Sequence, residues 1–241
     1  MRVHASSSGA GAEGSGRLVL FDLDGTLVDS TPGIWASIRV AAAQLELPEP
    51  TPGQLRAMVG PPLEEGFAGA FGLLPGDVAR AVAAYRAHYT AGAVPGSPPT
   101  PGTPAAMLDA AVYPGIPELL AGLRAGGATL AVATSKPEPF AVGILTHVGL
   151  LPLFAGVHGA TLDGAVRHKE QVVAAALAAH PDGERPVLVG DRSHDVVGAR
   201  VHGLPCIGAG WGPGLPGELA AAGAAAVAAT PGDVPAALAA L

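Results

Sequence analysis

The chain has 241 residues, enough for one α/β core, a modest insertion and a sizeable buried interior. Its formal charge of −7 argues against a nucleic-acid or anionic-membrane surface, and no window offers the roughly 18 strongly apolar residues of a bilayer span. A single cysteine, Cys206, excludes an internal disulfide and suits a reducing cytoplasm.

The first sixteen residues are rich in Ser, Gly and Ala and read as a disordered tail, not a signal peptide. The short branched run from Leu18 to Phe21 then has the pattern of a fully buried parallel strand, and it ends in Asp22, Asp24 and Gly25. Open α/β sheets bind their ligands at this carboxyl edge. Two acids one residue apart can bring a nucleophile, a metal ligand and a proton donor into one small volume. An ordinary Asp-Gly turn with solvated carboxylates is the alternative this segment leaves open.

Over 33–112 the pattern becomes helical, with helices predicted at 33–45, 51–59, 62–72 and 77–91. Proline density over 94–106 forbids helix and strand ladder, so this run reads as a semi-rigid spacer, with a stiffened hinge as the alternative. From Tyr113 strands and helices alternate. Strands are predicted at 129–133, 154–158, 187–189 and 206–208, and helices at 117–125, 139–148, 169–179 and 194–201. The Ala-rich stretch 218–229 reads as a helix feeding a last short strand. Such alternation predicts a doubly wound, parallel, Rossmann-like sheet with its first strand central.

Two features single out further residues. Of 13 basic residues only Lys136 and Lys169 are lysines, and Asn is absent, as in a GC-rich coding background. A compact ammonium that resists replacement by Arg suggests a specific need, although a lone Lys is usually a solvated charge. Lys136 follows the strand at 129–133 and Lys169 precedes a helix. The stretch from Val187 to Asp195 ends a further strand in Gly190 and Asp191, with Asp195 four residues on. Two roles are open to Asp195: complementing a helix dipole, or joining Asp191 in a hard-oxygen cage for Mg²⁺.

With these pieces in order, the chain resembles the haloacid dehalogenase superfamily, in its phosphoglycolate phosphatase-like branch with a helical cap. Four motifs carry the resemblance: Asp22-Leu-Asp24-Gly-Thr, Thr134-Ser135-Lys136, Lys169, and Gly190-Asp191 through Asp195. The resemblance implies a core over 17–32 and 113–241 and a cap over 33–112. It further implies a Mg²⁺-dependent phosphatase in which Asp22 becomes an aspartyl phosphate and Asp24 serves as acid and base. Mg²⁺ would sit on Asp22, the main-chain carbonyl of Asp24, and Asp191. Thr134, Ser135, Gly25 and Thr26 would hold the phosphoryl oxygens, and Lys169 would neutralise charge, with Asp195 and Lys136 in support. Asp24 resembles the phosphatases and phosphomutases, since halide-removing members lack it, and Thr26 favours hydrolysis over a sugar phosphomutase. A catalytically idle binding relative is the third reading.

The implied substrate is a small phosphorylated metabolite: phosphoglycolate, a nucleoside monophosphate or a sugar phosphate. Arg56, Gly60 and Pro61 are the candidate leaving-group contacts, against the alternative that this segment only starts a helix. Tyr85 and His88 read as a packed and solvated pair, His168 and His194 as neighbours of the entrance, and Cys206 as packing. Monomer and dimer are equally open.

Overall fold

The computed structural model describes residues 16–91 and 105–241, so the first fifteen of the sixteen residues expected as a tail, and most of the proline-rich run, lie outside the described residues. The chain enters through β1 (Arg17–Phe21) and the two-residue β2 (Val28–Asp29). Four helices follow: α1 (Thr31–Gln44), α2 (Pro52–Ala57), α3 (Leu63–Phe71) and α4 (Pro75–Tyr89). After β3 (Ala111–Val112) come α5 (Ile116–Ala125), β4 (Thr129–Pro137), α6 (Glu138–His147) and β5 (Gly156–Ala160). Then come α7 (Lys169–Ala179), β6 (Glu184–Gly190), α8 (Ser193–Val201) and β7 (Cys206–Ala209). The chain closes with α9 (Glu218–Ala222), β8 (Ala226–Ala228) and α10 (Val234–Ala239).

Six strands form one parallel sheet in the order β5-β4-β1-β6-β7-β8. All five residues of β1 are buried, and their alternation divides the interior. Leu18 and Leu20 pack beside Val172 and Val196 on the face covered by α7 and α8. Val19 and Phe21 pack beside Ile116 and Ile144 on the face covered by α5 and α6. Side chains alternate along a strand, so a continuous apolar run can fill two layers at once. A doubly wound sheet with a central first strand is therefore what the chain forms. No single helix among the described residues is long and apolar enough to cross a membrane.

The helical segment between β2 and β3 has its own interior, in which Ile38, Leu55, Phe67, Val82 and Tyr85 meet Phe140 from α6. Local chemistry sets its boundaries. Thr51 and Gln54 cap α2 reciprocally, and Gly72 ends α3 at a left-handed φ of 65°. At the base, β2 and β3 pair antiparallel, Val28 with Val112 and Asp29 with Ala111. Strands of two residues carry no periodic signal and were absent from the sequence expectation, as was the six-residue α10. The strand expected at 129–133, β4, also runs longer, to Pro137, because β5 offers partners beyond Ala133 and pairs Gly159 with Thr134 and Ala160 with Pro137.

The helical segment is also tied to the sheet through Arg192, between β6 and α8. Its guanidinium donates to the carbonyl oxygens of Val59 and, at 3.4 Å, Arg56. Glu218 holds Arg192 from behind: its carboxylate accepts from Arg192 Nε at 3.0 Å and from the Ser193 amide at 2.8 Å. Its other oxygen accepts from the Leu215 amide at 3.0 Å. Burial raises the Glu218 carboxyl, but these amides and Arg192 outweigh it and bring it down to about 2.

Two outcomes follow from this packing. A Cβ at Gly33, in α1, would overlap the carbonyl oxygen of Ala106, whereas one at Gly69, in α3, meets nothing within 4 Å. Gly33→Ala should cost about 1–3 kcal/mol in urea unfolding, and Gly69→Ala should gain roughly 0.4–1 kcal/mol by restricting the unfolded chain. The depressed Glu218 carboxyl stabilises the fold fully above its unfolded value of about 4.3, and that contribution disappears as pH falls through about 2. Wild type should therefore exceed Glu218→Gln in urea midpoint near neutral pH, with the gap closing between those two values.

Candidate active site

Asp22 follows β1 directly, and its amide donates to the Val189 carbonyl of β6 at 2.9 Å, which fixes it at the carboxyl edge of the sheet. The chain then reverses in a tight turn: the amides of Thr26, Leu27 and Val28 all donate to Leu23 O. Gly25 is needed here twice over. Its φ is +81°, and a Cβ would overlap the carboxylate of Asp191. Gly190 and Gly212 similarly make room for the side chains of Asp195 and Asp191.

Lys169 begins α7 and is buried. Its Nζ lies 2.7 Å from Asp22 Oδ1 and 2.7 Å from Asp195 Oδ1, and donates to Ala133 O at 3.0 Å. Burial opposes the ammonium, but Asp195 and Asp22 outweigh it and push its pKa up, so Lys169 stays charged. Asp195 sits in the first turn of α8 and also accepts from the Arg192 amide at 3.0 Å.

Asp191 completes the cluster. Carboxylate oxygens of Asp22, Asp191 and Asp195 lie within 4.8 Å of one another, and all three residues are buried. Burial, with Asp195 and Asp22 adding to it, pushes the Asp191 carboxyl well up. Asp191 Oδ1 accepts only a long 3.3 Å contact from Thr26 Oγ1, and Oδ2 is buried with no hydrogen-bond partner among the described residues. Three converging acids, one of them with an orphaned oxygen, form a donor set suited to a hard divalent cation.

Asp24 faces other partners. Its Oδ2 is 2.9 Å from Lys136 Nζ, and its Oδ1 accepts from Ser30 Oγ. Lys136 Nζ also donates to the Tyr89 hydroxyl at 2.7 Å and lies 4.8 Å from the centre of that ring. Asp22, Asp24, Thr134, Ser135 and Lys136 line one cleft of about 790 Å³, counting its open mouth, and Gly60 and Pro61 close it from the helical segment.

Three sequence expectations are corrected. Gly25 and Thr26, expected at the phosphate, do not line this cleft; the turn at Leu23 brings the Thr26 hydroxyl to Asp191, just past the end of β6. Arg56, expected against the leaving group, is exposed and lines a different groove with Trp35 and Trp211, since the last turn of α2 points it outward. Tyr85, expected beside a solvated His88, is buried and lines the cleft, while His88 Nδ1 meets Ser37 Oγ at 2.9 Å. Cys206 is buried, and burial pushes its thiol well up, which leaves it to packing.

Arg86, Tyr89, Phe140 and Arg167 also line the cleft, and the sequence expectation had none of them. The available signal was the Tyr85–Tyr89 spacing, which puts both rings on one face of a helix.

The family described as haloacid dehalogenase-like hydrolase matches residues 19–209. The chain is 44% identical over 202 residues to the tyrosine-protein kinase PtkA of Mycobacterium tuberculosis, covering 83% of this chain and 64% of that protein's length. It is 37% identical over 204 residues to a 5′-nucleotidase of Pseudomonas aeruginosa, covering 84% of this chain and 86% of the relative. A predicted phosphatase from Clostridium acetobutylicum has a similar crystal structure, with a TM-score of 0.84 and 33% identity, covering 94% of this chain and all of that one. Sheet order, buried acidic cluster and sequence similarity converge, and the chain belongs to the haloacid dehalogenase-like hydrolases.

Proposed function

We propose that the protein is a Mg²⁺-dependent phosphatase that hydrolyses a small phosphomonoester through an aspartyl phosphate on Asp22. The observation that carries this reading is the buried Lys169 ammonium held 2.7 Å from Asp195 and 2.7 Å from Asp22, which lines the cleft. It leaves the Asp22 carboxylate fixed, charge-compensated and facing the space a phosphoryl group would occupy. Membership of a hydrolase family and similarity to a 5′-nucleotidase support the same reaction class.

In the proposed mechanism a carboxylate oxygen of Asp22 attacks phosphorus in line, and the bond from phosphorus to the leaving oxygen breaks. Asp24 gives its proton to the departing alkoxide, then takes one from the water that opens the acyl phosphate. Thr134, Ser135 and nearby main-chain amides hold the phosphoryl oxygens. Lys169 balances charge between nucleophile and phosphate, and Asp195 keeps Lys169 in place. Lys136, itself held by Tyr89, positions Asp24. Asp22, Asp191 and the main-chain carbonyl of Asp24 would hold Mg²⁺, which when bound supplies charge neutralisation and orientation for the phosphoryl group. Phosphoryl transfer is catalysed mainly by such positioning and compensation.

We place the enzyme in the cytoplasm, acting on a small phosphorylated metabolite such as phosphoglycolate, a nucleoside monophosphate or a sugar phosphate, with residues 33–112 as its cap. The second reading comes from the mycobacterial relatives called tyrosine-protein kinase. There, phosphorylated Asp22 would pass its phosphoryl group to a hydroxyl other than that of water; a sugar phosphomutase is a variant of the same outcome.

The test is phosphate release from a panel of phosphomonoesters with Mg²⁺ and with EDTA. Release should require Mg²⁺, stop in EDTA and return on adding the metal back. Asp22→Asn should lose activity by on the order of a thousandfold or more while remaining folded by circular dichroism. Full activity in Asp22→Asn removes the nucleophile assignment. Transfer to an added alcohol or protein hydroxyl without net release would favour the kinase or mutase reading.

A further inference from the structure

Above the carboxylate floor the cleft has an aromatic wall. Tyr85 and Tyr89 of α4 stack at 5.2 Å between ring centres, and Phe140 of α6 meets Tyr89 edge-on at 6.1 Å. All three side chains are buried, so the wall is set by packing on both sides of the cleft. Burial pushes the ionisation of both tyrosines well up, leaving the phenols neutral. Ile34, Met58 and Leu63 extend this apolar surface.

Two guanidinium groups also line the cleft. Arg86, on α4, has only long contacts: 3.6 Å to Glu64 Oε1 and 3.4 Å to Leu162 O. Its Nε is buried without a hydrogen-bond partner among the described residues. Arg167, on the loop before α7, is exposed, and its guanidinium makes no hydrogen bond or ion pair among the described residues. Arg86 therefore meets Glu64 only at long range, and Arg167 adds a second cation to the lining of the same cleft.

We propose, resting on the phosphatase reading, that this site selects a phosphomonoester whose alcohol carries an aryl-sized apolar body and a second anionic group. A two-carbon alcohol would leave the apolar lining of the cleft, to which Ile34, Met58 and Leu63 contribute beside the packed rings, in contact with water. A ring would bury it and adopt the offset or edge geometry that aromatic groups favour. An acid at the far end of that ring would meet Arg86 and Arg167, which lack a good partner of their own. Guanidinium suits this role because its fork of donors matches a carboxylate or phosphate.

The test is calorimetric binding of non-hydrolysable phosphonates to the Mg²⁺-loaded protein, with turnover of the matching phosphates measured separately. Benzylphosphonate should bind about tenfold or more tighter than ethylphosphonate, and para-carboxybenzylphosphonate about tenfold tighter again. In Arg167→Gln the ratio between the last two should fall towards one. Equal binding of the ethyl and benzyl compounds overturns the aryl assignment, and a carboxylate gain that survives Arg167→Gln overturns the anionic one. Binding reads this inference and turnover reads the phosphatase proposal. Tight, ring-dependent binding without phosphate release would thus sustain the first and remove the second.

Discussion

The ammonium of Lys169 has three protons to donate, and the fold gives it three acceptors: Asp22, Asp195 and the carbonyl of Ala133. These come from the end of β1, the middle of β4 and the first turn of α8, so one buried cation fastens separate elements of the core. An isolated buried charge costs several kcal/mol even after relaxation, so the pairing must be close and complete. The glycines around it express the same constraint. Gly25, Gly190 and Gly212 leave the space the carboxylates fill, and a Cβ at Gly198 would overlap the side chain of Lys169 itself. Even so, the acids outnumber the ammonium, and Asp191 keeps an oxygen without a hydrogen-bond partner among the described residues. That imbalance is what suits the cluster to a further cation.

A floor so constrained leaves variation to the walls. The helical segment contributes Tyr85, Tyr89 and Arg86 from one helix and Gly60 with Pro61 from one loop, while Phe140 and Arg167 answer from the sheet side. Arg192 joins the two parts near that loop and is braced by Glu218. Lys136 joins them again, between Asp24 and Tyr89. The acid proposed to handle the proton is thus connected to the surface that would touch the leaving group, through one ammonium and one phenol.

Much of this was legible beforehand, for a physical reason. A buried parallel strand announces itself as a continuous apolar run, and Leu18 to Phe21 could end nowhere but at Asp22. The spacing of Lys169 and Asp191 relative to their strand and helix is likewise local information. Helix α7 was placed at its observed bounds from its composition alone. Cross-chain features were not legible. Pairing of β2 with β3 brings together residues more than 80 positions apart with no repeating pattern, and Arg56 and Arg86 are equally plausible arginines in a sequence.

The sequence by itself therefore determined the layered α/β class, the order of the motifs and which acids and lysines end on one edge, because strand period and turn chemistry act over a few residues. Only the tertiary structure decided which oxygens converge, that Thr26 turns to Asp191, and which rings wall the cleft. Those outcomes depend on how helices and strands distant in sequence pack against one another, and no local pattern encodes that distance.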